Sequence, residues 1–142
     1  MLAINTLAPF ILNSRLRALL QRSPVAARQV VNVSAMEGKF YRHKTANHPH
    51  TNMAKAALNM MTRTCAEELA ANGVYMNSID TGWINDENPL QRAARTAEKH
   101  HFQTPLDEVD AAARILDPIL SAANGEPPVY GRFVKDYQPC EW

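Results

Sequence analysis

Two β-branched runs, Gln29-Val-Val-Asn-Val-Ser34 and Val74-Tyr-Met-Asn-Ser-Ile79, bracket a single long helical pattern from His50 to Gly73. That pattern is long enough for about six helical turns. Ala54, Leu58, Met61, Cys65 and Leu69 form one apolar stripe at helical spacing, and Met53, Ala57 and Met60 form a second beside it. A helix with two apolar sides calls for two covers, here a sheet and a neighbouring helix. Thr51 reads as its N-cap and Asn72-Gly73 as its stop. Strand, long helix, strand is the unit of a parallel sheet, because parallel neighbours require a long crossover. Ligands of such sheets sit beyond the carboxyl ends of the strands. Those ends are Ser34-Ala35 and Asp80-Thr81-Gly82, and the beginning of the helix, with Lys55 in the polar row Thr51, Lys55, Asn59, Arg63, faces the same edge. On the helix alone, Lys55 reads equally as a solvated flank residue.

The remaining elements extend this unit. Leu2 to Leu20 reads as a helix, with Pro9 expected to start a regular turn or kink it and Asn5 one turn earlier. Residues 35–49 form a loop. His43, His48 and His50 in and after it match no standard metal spacing and have no acid or thiol nearby, so they read as solvated loop histidines. Residues 85–103, with their Pro and paired His, read as a lid over the strand ends. A further helix is expected to begin at Thr104 as N-cap with Pro105 in its first turn, to run toward Asn124-Gly125, and to bend at Pro118. Val129 to Val134 reads as a third strand, followed by a tail from Lys135 to Trp142. The order helix, strand, helix, strand, helix, strand gives an α/β chain. The length is that of one domain, residues 1–142.

Composition narrows the class. With 46% hydrophobic and 20% charged residues the chain has the balance of a globular protein. No apolar run reaches membrane-spanning length and the first residues lack a signal-peptide pattern. Two cysteines, Cys65 and Cys140, make no disulfide framework, so a reducing cytoplasm is the expected location. Residues 1–64 carry nine Lys/Arg against Glu37 alone, and residues 65–142 carry six against thirteen acids. Either a basic face awaits a phosphate-bearing ligand, or the two halves neutralise each other on folding. The aromatic-interleaved pattern of nucleic-acid modules is missing, so neither a nucleic acid nor a membrane is an expected partner.

Five stretches together carry a resemblance: INTLAPFIL, VVNVSAMEG, MAKAALNMM, YMNSIDTGWI and YGRFVKDY. In this order and spacing they resemble the second half of a short-chain dehydrogenase/reductase, across essentially the whole chain. The resemblance implies an α/β fold, a partial Rossmann-like parallel sheet of three strands with flanking helices, lacking the N-terminal dinucleotide-binding half. It implies NAD or NADP as cofactor and hydride transfer at a carbonyl or alcohol substrate. By resemblance, Asn5 matches the helix asparagine that holds a water for proton relay. Lys55 matches the lysine that binds the nicotinamide ribose. Thr81 and Gly82 match the turn after the strand, Ile84 the residue whose backbone meets the carboxamide, and residues 85–103 the substrate loop. The family's helices corresponding to Leu2–Leu20 and Thr51–Ala71 often build a dimer interface, so a homo-oligomer, or a partner supplying the missing half, is expected.

Two positions depart from the family pattern. The proton-donating tyrosine, four residues before the lysine, is Thr51, whose aliphatic hydroxyl is a far weaker acid than a phenol. The serine position, three before Gly38, is Ala35; Ser34 is adjacent, and strand neighbours point to opposite faces unless a bulge intervenes. Ser34, Tyr41 and His50 are the substitutes the sequence offers. The five glycines, at 38, 73, 82, 125 and 131, form no glycine-rich phosphate turn. The expectation is therefore a truncated oxidoreductase, weak or inactive alone, with a non-enzymatic binding or scaffold protein as the alternative.

Overall fold

A computed structural model describes residues 1–84 and 105–142 of the chain. The elements are a π-helical turn Ala3–Leu7, helix α1 (Ala8–Arg22), strand β1 (Arg28–Ser34), a 3-10 turn Met36–Gly38, helix α2 (Pro49–Ala70), strand β2 (Val74–Asp80), helix α3 (Glu108–Ala123), and strands β3 (Phe133–Lys135) and β4 (Gln138–Cys140). The sheet order is β1-β2-β3-β4, with β1, β2 and β3 parallel and β4 antiparallel to β3. The architecture is the expected partial Rossmann-like α/β sheet, with four strands among the described residues rather than three.

β2 is central and nearly all buried, whereas β1 lies at an edge. Val74 and Met76 pack with Ala66 and Leu69 of α2 in the apolar core, and Leu20, Val30 and Cys65 close round them. Strand alternation turns Tyr75, Asn77 and Ile79 to the opposite face. Helix α3 packs on β1 and β2 and buries Ala111. A polar chain runs through the first interface. Asn13 of α1 donates to Asn32 at 3.2 Å, and Asn32 donates to Thr62 at 2.9 Å. Ser78 also donates to Thr62, at 2.8 Å. β1, α2 and β2 are thereby tied at one buried hydroxyl, with α1 joined through Asn32, and the buried polar groups find partners, as burial demands.

Several element ends differ from the sequence expectation. Helix α2 is capped by His48 in the left-handed region at φ 56°, with Pro49 in the first turn, so Thr51 lies inside the helix. Proline's fixed φ suits a first turn and moves the start upstream. Helix α3 begins at Glu108 behind Asp107, whose carboxylate accepts from the N–H groups of Val109 and Asp110 in a capping box, so the start lies three residues beyond the expected one. Thr104 itself lies outside the described residues, as does the expected lid, 85–103. The third strand is Phe133–Lys135 rather than 129–134, and the expected tail contains β4. Of the α2 stripes, Ala54, Leu58 and Leu69 are buried together with Thr62 and Ala66. Met61 and Cys65 are half-buried, while Met53 and Met60 are exposed.

Candidate functional site

The carboxyl ends of β1 and β2 lie side by side, because their register runs unbroken from Arg28 opposite Val74 to Ser34 opposite Asp80. The chain then turns at Met36–Gly38, and Gly38 touches α2 at the turn bearing Lys55. A Cβ built on Gly38 would sit 2.5 Å from the Lys55 carbonyl carbon and 2.8 Å from the Ala56 nitrogen. Only glycine allows this approach, so this glycine seats the helix against the strand end. On that turn Lys55 donates its Nζ to the Val33 carbonyl at 2.8 Å. The lysine bridges α2 to the last residues of β1, instead of hanging from a solvated flank.

Ser34 is buried, and its hydroxyl donates to Asn59 Oδ1, one helical turn beyond Lys55. The unbroken register contains no bulge to bring Ser34 to the other face, and Ala35 follows in extended conformation at φ −164°. The Ser34 hydroxyl is thus committed to α2. Thr51 stands one turn before Lys55 on the same helix side. Tyr41 is exposed with its ring 5.0 Å from the Lys39 amine, and His50 lies in the first turn of α2.

β2 ends in Asp80, which is 4% exposed and accepts from Gly82 N–H at 2.9 Å. Burial pushes its carboxyl above the ordinary value, opposed first by the Gly82 hydrogen bond and then by the Lys135 charge. Thr81 and Gly82 make the expected turn after the strand. Gly82 is left-handed at φ 81°, and a Cβ there would strike Leu106. Ile84 forms an isolated parallel bridge with Leu106. Asn59 and Asp80 are the two polar groups at this edge that sequence reasoning gave no role. A carboxylate closing a strand just before a glycine turn was the available signal for Asp80.

Asn5 sits in the π-helical turn, where its side-chain amide donates to the Met1 carbonyl at 3.3 Å. Pro9 lies in the first turn of α1 and has no N–H for the carbonyl four residues back, that of Asn5. The irregular turn therefore follows from the proline, as expected, and is held to α2 where Thr6 Oγ1 donates to the Ala54 carbonyl at 3.1 Å, one residue before Lys55. The structure thus gathers Lys55, Thr81, Gly82 and the buried Ser34 at one sheet edge. Asn5 is on the neighbouring turn.

Parallel strands, a lysine-bearing crossover helix and a glycine turn at the strand ends define an open, Rossmann-like α/β unit. Residues 1–120 match the family model described as enoyl-(acyl carrier protein) reductase. Among solved structures, the chain is similar to a short-chain dehydrogenase/reductase of unknown function from Caenorhabditis elegans, solved with cofactor, at TM-score 0.74 and 22% identity over 94% of this chain and 52% of that one. It is similar to the carbonyl reductase Sniffer of Drosophila melanogaster at TM-score 0.69 and 18% identity, covering 99% of this chain and 55% of that one. An angucycline C-6 ketoreductase with bound NADP gives TM-score 0.69 and 20% identity over 95% and 50% of the two chains. The chain belongs to the short-chain dehydrogenase/reductase family. An uncharacterized protein of Acanthamoeba polyphaga mimivirus is 37% identical over 118 residues, which is 78% of this chain and 24% of that protein. The chain thus spans about half the length of these solved structures and a quarter of the viral relative. Among the described residues, no helix is long and apolar enough to cross a membrane.

Proposed function

We propose that this chain, as one domain, is the nicotinamide-facing portion of an NAD(P)-dependent oxidoreductase acting at a carbonyl or alcohol, and that it is weak or inactive alone. The observation that carries this reading is Lys55, whose amine is pinned to Val33 at the carboxyl edge of the sheet beside the Thr81-Gly82 turn. The donor set suits the nicotinamide end: an ammonium for ribose hydroxyls, and backbone at Ile84 for a carboxamide, beyond a Thr81-Gly82 turn whose Gly82 N–H is held by Asp80. These 142 residues hold no glycine-rich turn for the pyrophosphate, so that end of the dinucleotide would need other chain.

When bound, the cofactor supplies or accepts the hydride. Lys55 orients the ribose and places positive charge at the reacting edge. The Asn5 turn lies beside it as the station for a proton-carrying water, and Ser34 fixes β1 to α2 through Asn59 rather than meeting substrate. Thr51, in place of a phenol, leaves the chain without the family's acid, which is why turnover is expected to be feeble.

Titration of the folded chain with NADPH, followed by nicotinamide fluorescence, tests this reading. Weak saturable binding is expected, with a Kd roughly tenfold higher or more in Lys55→Ala, the loss of one charge-assisted hydrogen bond. Equal binding by Lys55→Ala overturns the site. Robust turnover of any carbonyl by the chain alone overturns the partial-unit reading.

A second reading, a binding or scaffold protein that keeps the fold, is favoured by one observation. An apolar groove of about 490 Å³ opens between the π-helical turn and α2, lined by Leu2, Leu7, Phe10, Leu58 and Met61 among others. On this reading a second copy of the chain covers the groove.

A further inference from the structure

Lys39 is 1% exposed, among the most buried side chains of the described residues, yet none of their carboxylates lies within ion-pair distance of it. Buried lysines are ordinarily paired with acids. Its amine instead donates to Cys140 Sγ at 3.3 Å and lies 4.2 Å from the centroid of the Phe133 ring and 5.0 Å from that of Tyr41. The backbone fixes this arrangement from both sides. Phe133 and Cys140 are direct partners across the β3–β4 pair, and the Lys39 N–H closes the 3-10 turn on the Met36 carbonyl at 3.1 Å. Cys140 is half-buried and unbridged, whereas the other cysteine, Cys65, packs beside the apolar cluster of α2 and β2. An amine and a thiol are thus held in contact, with apolar walls around the amine.

We propose that Lys39 and Cys140 form an oxidative cross-linking site, closed by a peroxide. Hydrogen peroxide oxidises the Cys140 thiol by two electrons to sulfenic acid, and one water leaves as the O–O bond breaks. The unprotonated Lys39 amine then attacks that sulfur. An S–N bond forms, the S–O bond breaks, and the departing hydroxyl takes an amine proton away as a second water. The product is a sulfenamide, R–S–NH–R′, which a thiol reductant returns to free amine and free thiol. The link staples the β3–β4 hairpin to the loop after β1, next to the turn that seats Lys55. It does not depend on the proposed oxidoreductase activity.

The test uses the wild-type chain, so no substitution at buried Lys39 is needed. The chain is treated with hydrogen peroxide and read by intact mass and tryptic mapping. A loss of about 2 Da is expected, with cleavage after Lys39 abolished, a linked peptide pair containing Lys39 and Cys140, and reversal by a thiol reductant. Cys140→Ser, a substitution in a short outer strand, should keep its mass and its Lys39 cleavage. The proposal is overturned by a gain of about 16 Da at Cys140 without a link, by a Cys65–Cys140 disulfide in place of the amine link, or by an unmodified Cys140.

Discussion

Asp80 is where burial and charge conflict most openly. Its side chain ends the central strand, and desolvation raises its pKa above the ordinary 3.8 despite the Gly82 N–H and Lys135; the charges of Glu37 and Asp136 push it further up. A carboxyl that is harder to ionise in the fold than in the unfolded chain contributes stability that is complete below the unfolded value and is lost as pH rises through the folded one. Asp136 works the other way. The Lys135 hydrogen bond lowers its pKa, so its contribution is present above the unfolded value and fades as pH falls through the folded one. The Lys135–Asp136 pair is largely exposed and counts for little. Urea midpoints measured from about pH 4 to neutrality should therefore decline more steeply in wild type than in Asp80→Asn, which keeps an oxygen for the Gly82 N–H. Parallel profiles for the two proteins would mean that Asp80 ionises freely.

At the scale of elements, what was legible in the sequence had strong periodicity behind it. β1, α2 and β2 were readable because β-branched runs flank a long periodic helix, and they carry the lysine and the glycine turn of the site. β4 was not readable: three residues, one of them proline, show no period, and its hairpin turns through Asp136 and Tyr137 at positive φ with no glycine to announce it. The cap of α2 was misread because Thr51 has the better capping side chain, yet Pro49 fixes the start. Ser34 was readable as a nearby hydroxyl, but its bond to Asn59 depends on which face the strand end presents. In the sequence Gly38 served only to locate the serine position three residues before it. Its close contact with the α2 backbone is tertiary, and it makes a sharp prediction. Gly38→Ala must push the turn off the helix, lowering stability by about 1–3 kcal/mol as overpacking does and loosening the Lys55–Val33 bond. Urea unfolding checks the first effect; a midpoint within error of wild type would mean that the turn moves aside freely.

At the scale of the whole molecule, the described residues present two open surfaces. β1 is an edge strand, and the amide atoms of its Gln29 are buried without a partner among the described residues. The other surface is the helix face. Phe10, 57% exposed, lines the apolar groove between the π-helical turn and α2, and Met53 at 59% and Met60 at 56% stand one turn before and one turn after its lining residue Ala57. Apolar surface of this kind usually marks an interaction site. The face is self-complementary in chemistry, and a two-fold pairing would set the same residues against themselves. Under the proposed second-copy reading, the weight-average sedimentation coefficient of the wild-type chain rises with concentration. Placing carboxylates at the rim, Met53→Glu with Met60→Glu, buries like charges against each other across the two-fold and weakens self-association roughly tenfold or more. Both side chains point outward, so the double variant should keep its far-ultraviolet circular dichroism and change only in sedimentation. A wild-type chain that sediments as a monomer at every concentration would exclude a second copy as the cover. The groove would then have to be covered by a different protein segment.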